Sequence, residues 1–381
     1  MVNVTLPPLS LYIHIPWCVQ KCPYCDFNSH ALKGGIPEQE YIAHLIDDLK
    51  VDLNYVQGRK LHSIFFGGGT PSLLSEQIVA LLLAEIERLI PFEDNIEITL
   101  EANPGTLEYN KFDGFAKAGV NRISIGIQSF QQQKLTKLGR IHNADEAKKA
   151  ASFARNSVST FNVDLMHGLP EQSLDEALAD LQQAIELEPT HISWYQLTIE
   201  PNTLFYSKPP ALPEDETLWQ IQQQGHELLK QAGYHQYEIS GYCKPGFECK
   251  HNLNYWRFGD YLGIGCGAHG KVTLLDEQKI IRTEKVKHPK GYMNLATPYL
   301  NKQWQIEACD LPFEYFINKL RLKESFSLTD FSHLTGLNAN KVAQTIKNAE
   351  SLGLLVLENE EYKTTIKGLE FYNDLVDLFL N

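Results

Sequence analysis

An α/β fold is what this sequence predicts: a partial (β/α)6 barrel, an accessory sheet and loop region, and a small winged-helix-like C-terminal domain. Three observations lead there. Six short apolar or β-prone runs alternate with amphipathic helical stretches over the first half of the chain, the pattern of parallel strands joined by crossover helices. Nearly every run ends in polar or Gly-rich residues. A Pro-rich connection at residues 207–215, SKPPALPED, is followed by a change of character.

The first run, residues 11–15, is apolar at almost every position, as a strand covered on both faces should be. The others are residues 63–66, 96–100, 122–127, 160–165 and 191–197, rich in Ile, Val, Phe or Thr. Between them, residues 38–53 carry Tyr41, Leu45 and Leu49 on one stripe, and residues 173–187 carry Leu174, Leu178, Leu181 and Ile185 on another. Residues 75–90, 108–118 and 144–154 supply the other crossovers. A doubly wound sheet and a barrel both fit this alternation. The strand ends favour the barrel: Gly67-Gly68-Gly69-Thr70, the stretch from Glu101 to Gly105, Gln128-Ser129, and Asp164, because β/α barrels carry their chemistry on that rim.

The expected divisions are residues 1–233 for the barrel, 234–308 for the accessory region and 309–381 for the C-terminal domain. Residues 234–272 are dense in glycine and aromatics. Gly265, Gly267 and Gly270 spell G-x-G-x-x-G, but the chain runs on into KVTLL instead of a helix, so the dinucleotide reading fails and tight turns remain. The tail reads as a helix through Phe316 and Leu320, a second over 328–335 stopped by Gly336, a third over 339–352, a hairpin over 354–364 turning at Asn359-Glu360, and a last helix. Residues 310–381 hold 7 Lys and Arg against 11 Asp and Glu, which argues against a phosphate-binding face.

Composition narrows the class. The chain has 381 residues, is 43% hydrophobic and carries a formal charge of -13, which disfavours nucleic acid or an anionic membrane as main partner. With no leader pattern and no long apolar span, the expectation is a cytoplasmic protein without a transmembrane segment. Seven cysteines point to reduced thiols with ligand duties instead of a disulfide framework.

The stretch from Tyr12 to Phe27, YIHIPWCVQKCPYCDF, sets Cys18, Cys22 and Cys25 in a C-x3-C-x2-C array, and Pro16 and Pro23 argue for a wrapped loop. Three thiolates are one too few to close a tetrahedral zinc site or saturate a four-iron cluster, so one position is left open. A zinc reading would draw on His14 or His30 as fourth ligand. Cys243, Cys249, Cys266 and Cys309 lack metal-type spacing among themselves and read as buried or idle thiols.

This spacing at the end of the first strand resembles the radical S-adenosylmethionine (SAM) superfamily. The resemblance implies a 4Fe-4S cluster on Cys18, Cys22 and Cys25, with SAM on the open iron. The runs YIHIPWC, GGGTPS, EANPG, RISIGIQSF, LGRIH, DLMHGLP and HNLNYW are similar to the oxygen-independent coproporphyrinogen III oxidases and their haem chaperone relatives, over almost the whole chain. The implied SAM contacts are Tyr12, Tyr24, Gly68, Gly69, Thr70, Glu101, Gln128, Arg140 and Asp164. The oxidases place a further Cys where Phe27 stands and carry a long N-terminal extension, and HNLNYW resembles the chaperone branch's HNxxYW motif. The expected function is therefore binding of haem and its delivery to acceptor haemoproteins, with radical decarboxylation of coproporphyrinogen III as the alternative and a homodimer left open. His251 reads either as a hydrogen-bonded structural residue or as a haem ligand in an aromatic setting with Tyr255 and Trp256.

Overall fold

The protein is described by a computed structural model over residues 3–32, 34–294, 296 and 298–380. The six apolar runs are strands β1 (Leu9–Ile15), β2 (Leu61–Gly68), β3 (Phe92–Ala102), β4 (Arg122–Gln128), β5 (Thr160–His167) and β6 (His191–Gln196). They lie side by side in chain order, each pair parallel. Leu11, Ile13, Ile64, Leu100, Ile123, Val163 and Leu165 join one buried core under the crossover helices. Two of those helices begin in capping boxes, Asn143 with Glu146 and Ser173 with Glu176, which satisfies backbone N–H groups that the first turn leaves unpaired.

Two expected helices are broken. Residues 108–118 divide into Thr106–Tyr109 and Phe112–Ala118. At the break, Lys111 Nζ donates to the carbonyls of Ser72, Leu73 and Leu74 at 3.2, 3.1 and 3.0 Å, and the Glu108 carboxylate accepts from Asn103 N–H at 2.9 Å. Both charged side chains serve the neighbouring loops, and this tertiary demand overrides the local helical pattern. Residues 339–352 likewise open as a 3-10 turn, Ala339–Lys341, before the helix Ala343–Ser351.

The accessory region continues the same sheet. Strands β7 (His235–Gln236) and β8 (Gly241–Cys243) add antiparallel to the edge beyond β6. Strand β9 (Asp260–Ile264) inserts parallel to β1 on its other side, and β10 (His269–Leu274), β11 (Lys279–Lys285) and β12 (Leu300–Gln305) follow antiparallel. Among the described residues the sheet thus has the order β12-β11-β10-β9-β1-β2-β3-β4-β5-β6-β8-β7. Gly265 sits at φ 100°, and a Cβ there would meet the His14 carbonyl at 2.5 Å, so the glycine run is a close backbone approach, as expected.

Buried charge locks the added strands in place. Lys285 Nζ on β11 lies 2.5 Å from Asp48 and 2.7 Å from Asp52, at the end of the helix Glu38–Val51, and Tyr292 donates to Asp48 at 2.7 Å. The tail packs a second core, which Phe258 and Ile280 of the accessory region join. Helices Leu311–Lys319, Leu328–Thr335 and Ala343–Ser351 and the hairpin Leu355–Glu358/Glu361–Thr364 close around Phe316, which stacks on Phe379 at 4.0 Å. The hairpin turns at Asn359 and Glu360 with φ of 51° and 68°, the twist-matched two-residue turn. No helix among the described residues is long and apolar enough to cross a membrane.

Replacing Lys285 by Met leaves two carboxylates buried without their cation. The expected loss is about 3–5 kcal/mol in urea unfolding; a loss below about 1 kcal/mol, the range of exposed pairs, would contradict this lock.

Candidate functional site

The loop after β1 is wrapped by backbone bonds. Trp17–Cys18 pairs parallel with His30–Ala31, His30 N–H donates to the Pro16 carbonyl at 2.7 Å, and Leu32 N–H donates to the Cys18 carbonyl at 2.9 Å. From the next strand end, Gly69 and Thr70 N–H groups donate to the carbonyls of Ile15 and Trp17 at 2.7 and 2.8 Å. Cys18, Cys22 and Cys25 are each half-buried and open on a cavity of about 320 Å³. Tyr24, Gly68, Gly69, Thr70, Glu101, Gln128, Arg140 and Asp164 line the same cavity, so strand ends far apart in sequence converge with the thiols. Tyr12 and His251 lie elsewhere: both line a second cavity of about 1040 Å³. Lys21, Phe27, Ser29, Gly68 and Glu101 border both cavities, which therefore share a wall.

The shared wall is electrostatically unusual. Burial, reinforced by the nearby Asp164 carboxylate, pushes the Glu101 carboxyl up to about 8, against a single hydrogen-bond contribution from Gly68 N–H, which donates at 3.3 Å. Burial also raises Asp164, although Ser124 Oγ and Asn162 Nδ2 each donate to it at 2.8 Å. Arg140 faces them, donating to the Asn103 side-chain oxygen at 2.7 Å and the Gly126 carbonyl at 2.5 Å, with Nη1 3.7 Å from Cys22 Sγ. Gln128 sits at φ 70° where the pairing of β4 with β5 slips; this bulge turns its side chain to accept from Tyr195 Oη at 3.0 Å. Asn103 and Tyr195 line the cavity and are absent from the sequence expectation. Asn103 lies in the quoted EANPG run and was legible as a rim residue; nothing local marks Tyr195.

The donor set fits a cluster better than a single ion. Among the described residues, the three loop thiols do not come within 4.8 Å of one another as a group, whereas one ion bound at about 2.3 Å would draw its sulfurs to about 4 Å apart. A multi-iron cluster gives each thiolate its own iron and suits the wider spread. His14, one of the zinc reading's fourth ligands, has both nitrogens engaged, with the Asn28 carbonyl at 2.8 Å and Tyr12 Oη at 3.1 Å. The glycines serve the fold as well: a Cβ at Gly69 would meet the Trp17 carbonyl at 2.5 Å, so only glycine lets this turn seat under the cysteine loop.

In the larger cavity His251 is held from two sides. Its helix, Lys250–Trp256, starts over the Glu97 carboxylate, which accepts N–H bonds from Lys250 and His251 at 3.1 and 3.0 Å, an anion placed at the positive end of a helix. Its Nδ1 is 3.0 Å from Ser63 Oγ, and its ring lies 5.0 Å from that of Phe65. Burial drives the imidazole down to about 3, so it is neutral near pH 7. With Nδ1 committed, Nε2 is the nitrogen left for a ligand. Lys21 and Lys287 place positive charge on the same cavity.

Comparison with known proteins agrees with this geometry. Residues 12–184 match the Radical SAM superfamily, and residues 306–371 match the HemN C-terminal domain. The chain is 59% identical to "Heme chaperone HemW" of Haemophilus influenzae over 98% of both chains, and 57% identical to that of Escherichia coli K12 over 99% of both. It belongs to the HemW family of the radical SAM superfamily. The solved structure of the coproporphyrinogen III oxidase HemN from Escherichia coli superposes with a TM-score of 0.83 at 22% identity, covering 98% of this chain and 90% of that one, which establishes the shared α/β fold. Membership of the superfamily implies a 4Fe-4S cluster and SAM, and the HemW relatives' name adds haem.

Glu101 makes a pH test available. Where a cation such as SAM binds beside a carboxyl with a value of about 8, binding must first release its proton. The affinity of cluster-reconstituted protein for SAM, measured calorimetrically, is expected to rise from about pH 6 and level off above about pH 8. Glu101→Gln is expected to bind more weakly with a flat profile; a flat wild-type profile would contradict the assignment.

Proposed function

We propose that this chain is a cytoplasmic haem chaperone: it binds haem in the larger cavity, with His251 at the iron, and passes it to acceptor haemoproteins. The observation that supports this most is the neutral imidazole of His251, fixed through Nδ1 in an aromatic cavity that shares a wall with the cysteine site. Lys21 and Lys287 suit the anionic propionates of a porphyrin. Cys18, Cys22 and Cys25 hold the 4Fe-4S cluster. SAM would be held beside it by Tyr24, Gln128 and the backbone of Gly68, Gly69 and Thr70, with the Glu101 and Asp164 carboxylates suited to its amino group or ribose hydroxyls and Arg140 suited to its carboxylate. Tyr12 stands on the haem side of the shared wall. When bound, the cluster supplies one electron at a time to a sulfonium. The chain's own part is to orient the ligands and to keep Glu101 able to take or give a proton at its carboxylate.

Haem titration of the cluster-loaded wild type should give a Soret band that His251→Ala shifts, with affinity weakened by about tenfold or more; an unchanged spectrum and affinity would remove His251 from the site. Anaerobic incubation with SAM, reductant and coproporphyrinogen III is expected to yield no protoporphyrinogen. Release of that product would overturn the carrier reading in favour of the oxidase.

A further inference from the structure

At the far edge of the sheet, away from both cavities, three side chains of metal-ligating type converge. His235 on β7 and Cys243 on β8 are direct partners across the antiparallel ladder, so their side chains leave the same face side by side. Cys243 Sγ is 3.5 Å from His235 Nε2, and Glu248 Oε1 is 2.8 Å from the same nitrogen. The three ligand atoms all lie within 4.8 Å of one another, the one such group among the described residues. Bonds of about 2.3 Å to sulfur and about 2.0–2.1 Å to nitrogen and oxygen, at tetrahedral angles, place sulfur and nitrogen about 3.5 Å apart and nitrogen and oxygen about 3.3 Å apart. The first spacing is already met, and the second needs the partly exposed Glu248 side chain to retreat by about half an ångström.

We propose that His235, Cys243 and Glu248 form a divalent transition-metal site of the zinc class. Borderline-soft thiolate, imidazole and carboxylate ligands in a compact triad favour zinc over magnesium or calcium, which take oxygen. A surface ion pair between His235 and Glu248 would account for two of the groups, but it does not account for a buried thiol meeting them at the same point. The hairpin has a use for the ion: β7 and β8 contribute only two and three residues, and so short an edge gains from a metal staple. The ion also ties this edge to residue 248, two positions before the helix Lys250–Trp256 that carries His251. Three protein ligands leave a fourth position to solvent. The site is independent of the haem and SAM assignments. The H-x7-C-x4-E spacing matches no sequence signature, so the idle-thiol expectation for Cys243 followed from sequence spacing alone.

The test uses the full chain with its cluster reconstituted, equilibrated with zinc(II), desalted and analysed for metals. Wild type should retain about one zinc per chain beside about four irons. Cys243→Ser and Glu248→Gln should each weaken zinc retention by about tenfold or more while the iron content stays unchanged. Glu248 is partly exposed, so its variant reports even if Cys243→Ser fails to fold. Absence of zinc from the wild type, undiminished zinc in Glu248→Gln, or loss of zinc only in step with iron would each overturn the proposal.

Discussion

The double ladder that holds β1, with β2 on one edge and β9 on the other, both parallel to it, fixes where the three thiols can be. The cysteine loop leaves the carboxyl end of a strand in the interior of the sheet, the end at which α/β folds collect their ligands. On one side of that strand the β2 to β5 ends bring Gly68, Glu101, Gln128 and Asp164 to the thiols, and the turn after the helix Gln132–Lys137 brings Arg140. On the other, β9 and the helix before it bring Tyr255, Trp256 and His251. Two cavities meeting at the cysteine loop follow from that one placement.

The placement is expensive in buried charge, and at Asp260 and Glu97 that charge is compensated. Asp260, at the start of β9, is fully buried but meets Arg59 at 2.8 Å and Lys271 at 2.9 Å. Glu97 meets Arg122 at 3.7 Å and takes the N–H groups that open the His251 helix. Glu101 differs: among its neighbours it has no matching cation of its own, and its raised carboxyl is what such isolation produces. A buried carboxyl without its cation, on the wall between a thiol cavity and an aromatic cavity, is a structural reason to expect a cationic ligand there.

Much of this was legible in the sequence because the signals are local. The strands β1 to β6 announce themselves since a strand covered on both faces needs apolar residues at nearly every position, and the rim residues follow them at once. C-x3-C-x2-C is a spacing within one loop, and HNxxYW within one helix. What was not legible depends on pairings far apart in the chain. That residues 260–264 lie beside residues 9–13 is a matter of register across some 250 positions, and nothing near Asp260 states it. Tyr195 reaches Gln128 only because β4 bulges there. The break in residues 108–118 exists because Lys111 and Glu108 serve loops of other elements. Tyr12, six residues before Cys18, lines the larger cavity beside Gly68 and Glu101, a placement set by strand pleating and by the neighbouring strand ends together.

The most direct test of a carrier built on this wall is transfer itself. Haem-loaded, cluster-reconstituted protein is mixed with an apo-haemoprotein, and the acceptor's Soret band is followed against haem-loaded protein alone. The acceptor's spectrum is expected to grow as haem leaves the chaperone, with no porphyrinogen product formed. Retention of haem by the loaded chain in the presence of an avid acceptor would contradict it.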